Sequence, residues 1–410
     1  MKKMTTALSV VAVMALGTQA ATLEERVKVL EEQNEVLTEE VLASQSAGFT
    51  LVDTKKSHNG MGPAASKAYY SENPLSIGGY GEAYYANPNN GDDFADIYRF
   101  ITYFGYKFND WIVLNAEIEF EHGGDASKGG SVVMEFLYLD FLFSDEFSVR
   151  VGSQLVPVGL INLRHEPTLF NTVQRPEIER QLIPSTWGEF GVVSYGRFDD
   201  IGLEYSIGMI NALNIDNDKT GTPESGWIRS GRQGTRKNAS FDPAFVGRLD
   251  YTGINGLMAG ASLYYGDGAN NDSATETKGT SLTMFDVHAK YDNGPFSAYG
   301  LYTQSTFDGA KNVSPTSVEK ASGFYVNAAY DIAGLIGINY KMPVFAQYEN
   351  WNPVEKPVDG QNEDAFATET VTLGLNFFPT EQVVLKLDYE MNDDFKGKTD
   401  TVSFGLGFIF

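Results

Sequence analysis

The run Val371-Thr372-Leu373-Gly374-Leu375-Asn376-Phe377 places apolar side chains at every second position and polar or small ones between them. The alternation restarts after Pro379-Thr380-Glu381 and again near residue 400, and it continues to Phe410. A period of two is typical of β-strands that have one apolar and one polar face. Each run has about 10 residues, the length of a tilted strand that crosses a bilayer. The stretch therefore predicts strands of a transmembrane barrel whose last strand closes against its first.

The same alternation extends upstream to residue 75 and predicts about sixteen strands. They are residues 75–86, 94–107, 111–121, 131–143, 147–153, 188–197, 201–210, 243–251, 257–265, 281–291, 295–304, 321–331, 339–350, 366–378, 382–391 and 400–410. Their connections alternate between short turns and long loops, as in bacterial outer-membrane barrels. We predict an all-β chain: a transmembrane antiparallel β-barrel of about 16 strands (75–410), preceded by a short N-terminal coiled-coil helix.

Composition agrees with this class and excludes others. Aromatic residues make up 13% of the chain, which suits the girdles at membrane interfaces. There is no cysteine, so disulfides and thiolate chemistry are excluded. The formal net charge of −24 argues against nucleic acid as a partner.

The N-terminus has the pattern of a secretory signal peptide. Lys2 and Lys3 precede an apolar core, residues 7–16, and Thr18-Gln19-Ala20 offers small residues for cleavage. No later run approaches 18 apolar residues, so no transmembrane helix is predicted. We expect a signal peptide over residues 1–20 and a mature protein in the outer membrane of a Gram-negative bacterium.

Residues 21–42 repeat apolar side chains every seven positions, which predicts a periplasmic coiled coil. The positions expected to trimerise the chain are Leu23, Val27, Leu30, Asn34, Leu37 and Val41. An amphipathic helix that packs on the barrel or binds another periplasmic component remains an alternative. Residues 43–74 are rich in Gly, Ser, Ala and Asn and predict a linker, in which His58 is expected to be solvated.

The polar faces of the strands predict a water-filled lumen, because about sixteen strands enclose an aqueous channel rather than a packed core. The wall residues expected to line it are Arg99, Glu117, Glu119, Arg150, Arg248, Asp286, Lys386 and Asp388. Strand 131–143 is apolar on both faces apart from Glu135 and Asp140. It is expected to lie against a neighbouring subunit or an inserted loop.

The third long connection, residues 154–187, combines charged side chains with more apolar ones than a solvated loop needs. We expect it to fold into the barrel, bury its apolar residues on the wall and present its charges to the pore. The constriction residues predicted from it are Arg164, His165, Glu166, Arg175, Glu177, Glu179 and Arg180. The alternative is an external loop that packs across a subunit interface.

Several motifs in this region resemble those of phosphate-selective porins of the O/P type. They are residues 154–160, 179–184 and 188–192, together with the penultimate hairpin at 378–390. The resemblance implies a sixteen-stranded trimeric outer-membrane porin with an inward-folded third loop, and anion selectivity through lumen arginines. The strand arginines of this chain are few and interleaved with acids, so the charge preference stays open.

We predict a passive porin for small hydrophilic solutes or ions, with lipid and lipopolysaccharide around a homotrimer. The alternatives are an anion- or phosphate-selective porin and a non-conducting structural barrel anchored by the coiled coil. Residues 227–237 carry four basic side chains, Arg229, Arg232, Arg236 and Lys237. They are expected to attract anions to the mouth, to form a solvated face or to bind lipopolysaccharide phosphates. The chain has four histidines and no Gly-x-Ser-x-Gly motif, so no catalytic site, metal site or cofactor is predicted.

Overall fold

The computed structural model describes residues 27–28, 30, 50–215, 227–234, 242–269, 279–360, 364 and 366–410. The chain divides into two compact units, residues 1–50 and 51–410. In the first unit, Val27, Lys28 and Leu30 have helical backbone. The predicted signal peptide and the remaining heptad positions, Leu23, Asn34, Leu37 and Val41, lie outside the described residues.

Sixteen strands are present among the described residues of the second unit, as the alternation predicts. They are β1 (Leu75–Pro88), β2 (Phe94–Asn109), β3 (Ile112–Glu121), β4 (Ser131–Leu142), β5 (Ser148–Leu155), β6 (Gly188–Phe198), β7 (Leu203–Asn211), β8 (Pro243–Tyr251), β9 (Leu257–Gly266), β10 (Ser281–Asn293), β11 (Phe296–Asp308), β12 (Val318–Asp331), β13 (Pro343–Pro357), β14 (Thr368–Thr380), β15 (Val383–Asp394) and β16 (Gly397–Ile409). Four helices accompany them in these residues: α1 (Pro63–Tyr70), α2 (Glu177–Gln181), α3 (Trp227–Ser230) and α4 (Ala333–Ile336). No described helix has the length and apolar character needed to cross a membrane.

The strands form one closed antiparallel barrel in which each strand pairs with its neighbours in the chain. β1 pairs with β16, so that Tyr80 lies opposite Ile409 and Pro88 lies opposite Thr401. Closure leaves no open edge, and the backbone groups of every strand therefore find partners within the sheet. The predicted closure of the last strand on the first is confirmed.

The two faces of each strand differ in the way that the alternation predicts. On β15, Lys386 and Asp388 are buried, whereas Leu387 and Tyr389 are exposed. On β14, Thr370 and Thr372 are buried and Leu373 is exposed. Since the outside of an isolated barrel is its exposed side, the polar residues point inward and the apolar residues point outward.

Residues 51–74 differ from the expected linker because part of this stretch, helix α1 above all, packs inside the barrel against β1, β2 and β3. Helix α1 has a proline in its first turn, where the missing N–H costs nothing. Its Ala65 carbonyl accepts a hydrogen bond of 2.9 Å from Asn115 Nδ2 of β3. His58, expected to be solvated, lies 2.9 Å from the hydroxyl of Tyr195 and stacks on Tyr69 with a centroid distance of 3.6 Å.

This N-terminal segment also explains the apolar inward face of β4. Phe136 and Tyr138 are buried in a cluster with Met61, Ala64 and Ala65. A chain segment inside the barrel therefore covers this aromatic face. Of the two expectations for strand 131–143, a neighbouring subunit or an inserted loop, this arrangement is nearer to the second. Most of that cover comes from the N-terminal segment, and Leu163 of the loop 154–187 joins the same cluster.

Candidate functional site

Residues 156–187, here called the inserted segment, connect β5 to β6 and contact the inward faces of strands around the barrel. Gly159 N donates to Asp286 Oδ2 of β10 at 2.9 Å. Val173 N donates to Asp388 Oδ2 of β15 at 2.6 Å. Ile178 N donates to Glu349 Oε2 of β13 at 3.2 Å. The three acceptors lie on different strands, so the segment extends across the interior.

Basic residues of the wall bind the same segment through its backbone carbonyls. Lys386 Nζ donates to the carbonyls of Phe170 and Thr172, each at 2.9 Å. Arg248 Nη1 donates to the carbonyl of Gly159. Several charges that the sequence assigned to the pore wall therefore hold the inserted segment in place.

Glycines on the inward face of β16 make room for this segment. A Cβ atom on Gly407 would lie 2.7 Å from Pro167 Cβ, and one on Gly405 would lie 3.1 Å from Val173 Cγ1. Side chains at these positions would displace the inserted segment. Small residues on the polar face of the last strand are thus explained by a close approach of another part of the chain.

The remaining wall charges form buried networks with one another. Arg150 makes a bidentate pair with Asp140, with both N–O distances at 2.8 Å, and lies 4.1 Å from the Tyr138 ring centroid. His288 Nδ1 is 2.6 Å from Asp286 Oδ1, and its Nε2 is 2.8 Å from Asp250 Oδ1. Such pairs are compensated within the protein and do not present free charge to a solute.

Two acids of the inserted segment are also buried in structural contacts. Glu166 Oε1 accepts hydrogen bonds from the backbone amides of Ala64 and Ala65 at 3.0 and 3.1 Å. Glu179 accepts one from Tyr325 Oη at 2.5 Å and one from Ile161 N at 2.6 Å. Burial raises the pKa of each carboxyl to about 7. Both residues connect the segment to its surroundings rather than line an opening.

Four arginines converge on residues 180–186 and are here called the arginine cluster: Arg175, Arg180, Arg229 and Arg232. Arg229 Nη1 donates to the carbonyls of Arg180 and Ser185 at 3.0 and 2.5 Å. Arg232 Nη1 donates to the carbonyl of Thr186 at 2.8 Å. Burial, together with the three neighbouring arginines, lowers the pKa of Arg229 to about 9. Among the described residues, the ion pairs of this cluster comprise only Arg180 with Glu177, at 2.8 Å.

A cavity of about 270 Å³ lies between the inserted segment and the wall. It is here called the constriction cavity, after the role that the sequence predicts for this segment. Its charged lining comprises Arg175, Glu177 and Arg180 of the segment, and Glu349, Glu390, Asp394 and Lys396 of β13, β15 and the β15–β16 turn. Both signs of charge therefore face the same space. The alternation of the sequence puts Glu349 and Glu390 on polar strand faces, but it does not show that they meet Arg175 and Arg180.

A second cavity, of about 550 Å³, opens among the short turns at the other end of the barrel. Its lining includes His58, Asp110, Asp145 and Arg197. His58 belongs to the N-terminal segment, so the segment expected to be a linker lies at this mouth. Arg197 is half exposed there and pairs with Asp199 at 3.4 Å.

The structure thus divides the predicted pore residues into three groups, apart from Arg164. Arg175, Glu177 and Arg180 line the constriction cavity. A second group makes buried contacts within the protein: Arg150, Arg248, Asp286, Lys386, Asp388, Glu166 and Glu179. The third group is a buried cluster of Arg99, Glu117, Glu119 and His165. Arg164 is half-buried, and its Nη1 lies 3.8 Å from the sulfur of Met258.

Comparison with known proteins agrees with this architecture. The family model for phosphate-selective porins O and P matches residues 76–403. A protein of Aquifex aeolicus (strain VF5), described as uncharacterized, is 32% identical over 374 residues, which cover 86% of this chain and 83% of that protein.

Three solved structures share the fold at 12% identity, and each comparison covers 82% of this chain. OmpF of Salmonella typhi, in complex with daunomycin, has a TM-score of 0.56 with 97% of its chain covered. OmpT of Vibrio cholerae, in a trimer form, has a TM-score of 0.52 with 99% of its chain covered. The outer-membrane channel DcaP of Acinetobacter baumannii has a TM-score of 0.52 with 97% of its chain covered.

The closed sixteen-strand barrel and the family match define a passive outer-membrane porin. The chain belongs to the family of phosphate-selective porins O and P, a family of channels rather than enzymes.

Proposed function

We propose that small hydrophilic solutes cross this porin through the constriction cavity, between the inserted segment and strands β13 to β15. The observation that carries the proposal is the meeting of opposite charges on the two sides of that opening. Arg175 and Arg180 contribute positive charge from the segment, and Glu349 and Glu390 contribute acidic groups from the wall. Charges arranged across a narrow passage set a transverse field and limit the size of the solute.

Preference for anions, with inorganic phosphate as the first solute to test, is the second candidate function. The arginine cluster supports it, because three of its four members make no ion pair among the described residues. An excess of guanidinium groups attracts anions and raises their local concentration. The family description also names phosphate. The acids of the constriction cavity oppose this preference, so the balance must be measured.

We further propose a homotrimer whose N-terminal helices form a periplasmic coiled coil. The OmpT structure with the same fold is described as a trimer form. Val27 and Leu30 belong to the heptad positions and are exposed on a single chain, with 45% and 63% of their surface accessible. Burial of such residues between subunits would stabilise the assembly. The outward apolar face would contact lipid, with lipopolysaccharide at the outer rim.

Reversal potential in a planar bilayer under a salt gradient tests the selectivity. A preference for anions together with block by phosphate supports the second candidate. A cation preference or weak selectivity supports a general porin in which the acids of the constriction cavity dominate. A barrel that is correctly folded and trimeric but shows no conductance would overturn both and favour the structural alternative.

A further inference from the structure

Three side chains from three elements converge inside the barrel: Glu117 of β3, Glu135 of β4 and His165 of the inserted segment. One potential ligand atom from each lies within 4.8 Å of the others. His165 Nε2 is 3.5 Å from Glu117 Oε1 and 3.7 Å from Glu135 Oε2. In a tetrahedral zinc site with bonds of about 2.0–2.1 Å, two ligand atoms lie about 3.4 Å apart. The two separations that involve His165 are close to this value.

The imidazole of His165 is oriented for metal binding. Its Nδ1 lies 2.7 Å from the carbonyl oxygen of Asn162 and therefore carries the hydrogen of the neutral ring. The Nε2 lone pair of the neutral ring then faces two carboxylates. A backbone carbonyl that fixes the other ring nitrogen is a common feature of histidine ligands.

Among the described residues, the buried carboxyl groups around this cluster outnumber the cations within ion-pair distance of them. Four carboxyl groups are buried there, those of Glu82, Glu117, Glu119 and Glu135. Arg99 is hydrogen-bonded to Glu82 and lies 4.0 Å from Glu119, whereas Arg175 and Arg232 act on the cluster from beyond ion-pair distance. Glu117 Oε2 and Glu135 Oε2 receive no hydrogen bond from the described residues. Buried negative charge without a partner is costly, and a divalent cation would compensate two of these charges.

We propose that Glu117, Glu135 and His165 bind a divalent transition-metal ion of the zinc type. Imidazole nitrogen with carboxylate oxygens is a donor set that suits Zn²⁺ among first-row ions. The site joins the inserted segment to strands β3 and β4, which are distant from it in sequence. Metal binding there fastens the segment to the wall, next to the contact between Glu166 and α1.

The test uses the full-length porin, folded in detergent and treated with a chelator. Equilibrium dialysis against micromolar Zn²⁺, followed by elemental analysis, should find about one ion per chain. Glu117→Gln and His165→Gln should each lose most of this zinc, because each removes one ligand. Co²⁺ in place of Zn²⁺ should give a visible absorption band that disappears in His165→Gln.

Glu189→Gln is the matched control, since Glu189 is also a fully buried carboxyl but lies outside the cluster. It should retain the ion. Heat-modifiable migration on a gel checks that each variant is folded, and Glu135→Gln replaces any variant that is not. Wild-type protein without bound zinc overturns the proposal, as does zinc that persists in both folded ligand variants. If the wild-type protein binds no zinc, protons rather than a metal ion neutralise the carboxyl groups of the cluster.

Discussion

Glu166 of the inserted segment accepts a hydrogen bond of 3.0 Å from the backbone amide of Ala64, at the start of helix α1. Gly62 permits this approach, because a Cβ atom there would lie 2.3 Å from Glu166 Oε1. A carboxylate at a helix N-terminus satisfies amides that have no partner within the helix. The contact joins two segments that both lie inside the barrel and that are about a hundred positions apart in the chain.

Glu166→Gln should reduce the dependence of stability on pH. Burial raises the pKa of Glu166 to about 7, from an ordinary value of 4.5. Between these values the folded protein holds more protons than the unfolded chain, so the free energy of unfolding falls as pH rises from about 4.5 to about 7. The glutamine keeps an acceptor for Ala64 but does not titrate. Thermal unfolding in detergent at both ends of this range should show a smaller fall for the variant.

Glu72→Gln is the control for that experiment, because Glu72 is exposed. It should behave like the wild type. An equal fall in the wild type and in Glu166→Gln would show that Glu166 does not titrate in this window.

Deletion of residues 160–182 should raise the single-channel conductance. The deletion removes the part of the inserted segment that narrows the constriction cavity, and a wider passage carries more ions. Planar-bilayer recordings measure the effect. Deletion of residues 126–129, which are exposed in the β3–β4 connection, should leave the conductance near that of the wild type. Unchanged conductance in a folded trimer without residues 160–182 would contradict the constriction role.

Arg175→Gln combined with Arg180→Gln should shift the selectivity toward cations. Both side chains line the constriction cavity beside Glu349 and Glu390, so their loss leaves the acids dominant. Reversal potential under a salt gradient measures the shift. Arg197→Gln, at the opposite mouth, is the matched control and should change selectivity less. The same reversal potential in the double variant and the wild type would place the solute path elsewhere.

Arg150→Met should destabilise the barrel by about 3–5 kcal/mol, because it leaves the buried Asp140 without its bidentate partner. Arg197→Met should cost less than about 1 kcal/mol, since that arginine is half exposed. Unfolding in urea, followed by tryptophan fluorescence in detergent, compares the two. Similar midpoints for both variants would indicate that Asp140 is compensated by its other neighbours.

Polar replacement of Val27, Leu30 and Leu37 should weaken trimers extracted in mild detergent. These are heptad positions whose apolar side chains would be buried between three helices. Lys28→Ser is the control, because Lys28 lies off the heptad stripe. Native electrophoresis or mass photometry reports the oligomer. Trimers of unaltered stability would assign the helix to another task, such as binding a further envelope component.

The sequence alone predicted the strands and their faces with few errors. Leu373, Leu387 and Phe404 are exposed, and Thr372, Lys386 and Ser403 are buried, as the alternation requires. Most strand ends differ from the prediction by one to three residues, and the largest difference is at the end of β13. These features are local, since they follow from a period of two and from the thickness of a bilayer.

The sequence determined the barrel, because a strand with lipid on one side and water on the other needs apolar and polar residues in alternation. Only the tertiary structure decided which inward charges line an opening and which are bound by protein. Lys386 contacts Phe170, and Glu166 contacts Ala64, across long stretches of chain that no local pattern connects. Residues 51–74 likewise resemble a linker in composition, yet Met61, Ala64 and Ala65 are buried against β4 inside the barrel. Their small and polar residues suit either a solvated or a buried segment. Only the contacts that the segment makes inside the barrel distinguish the two.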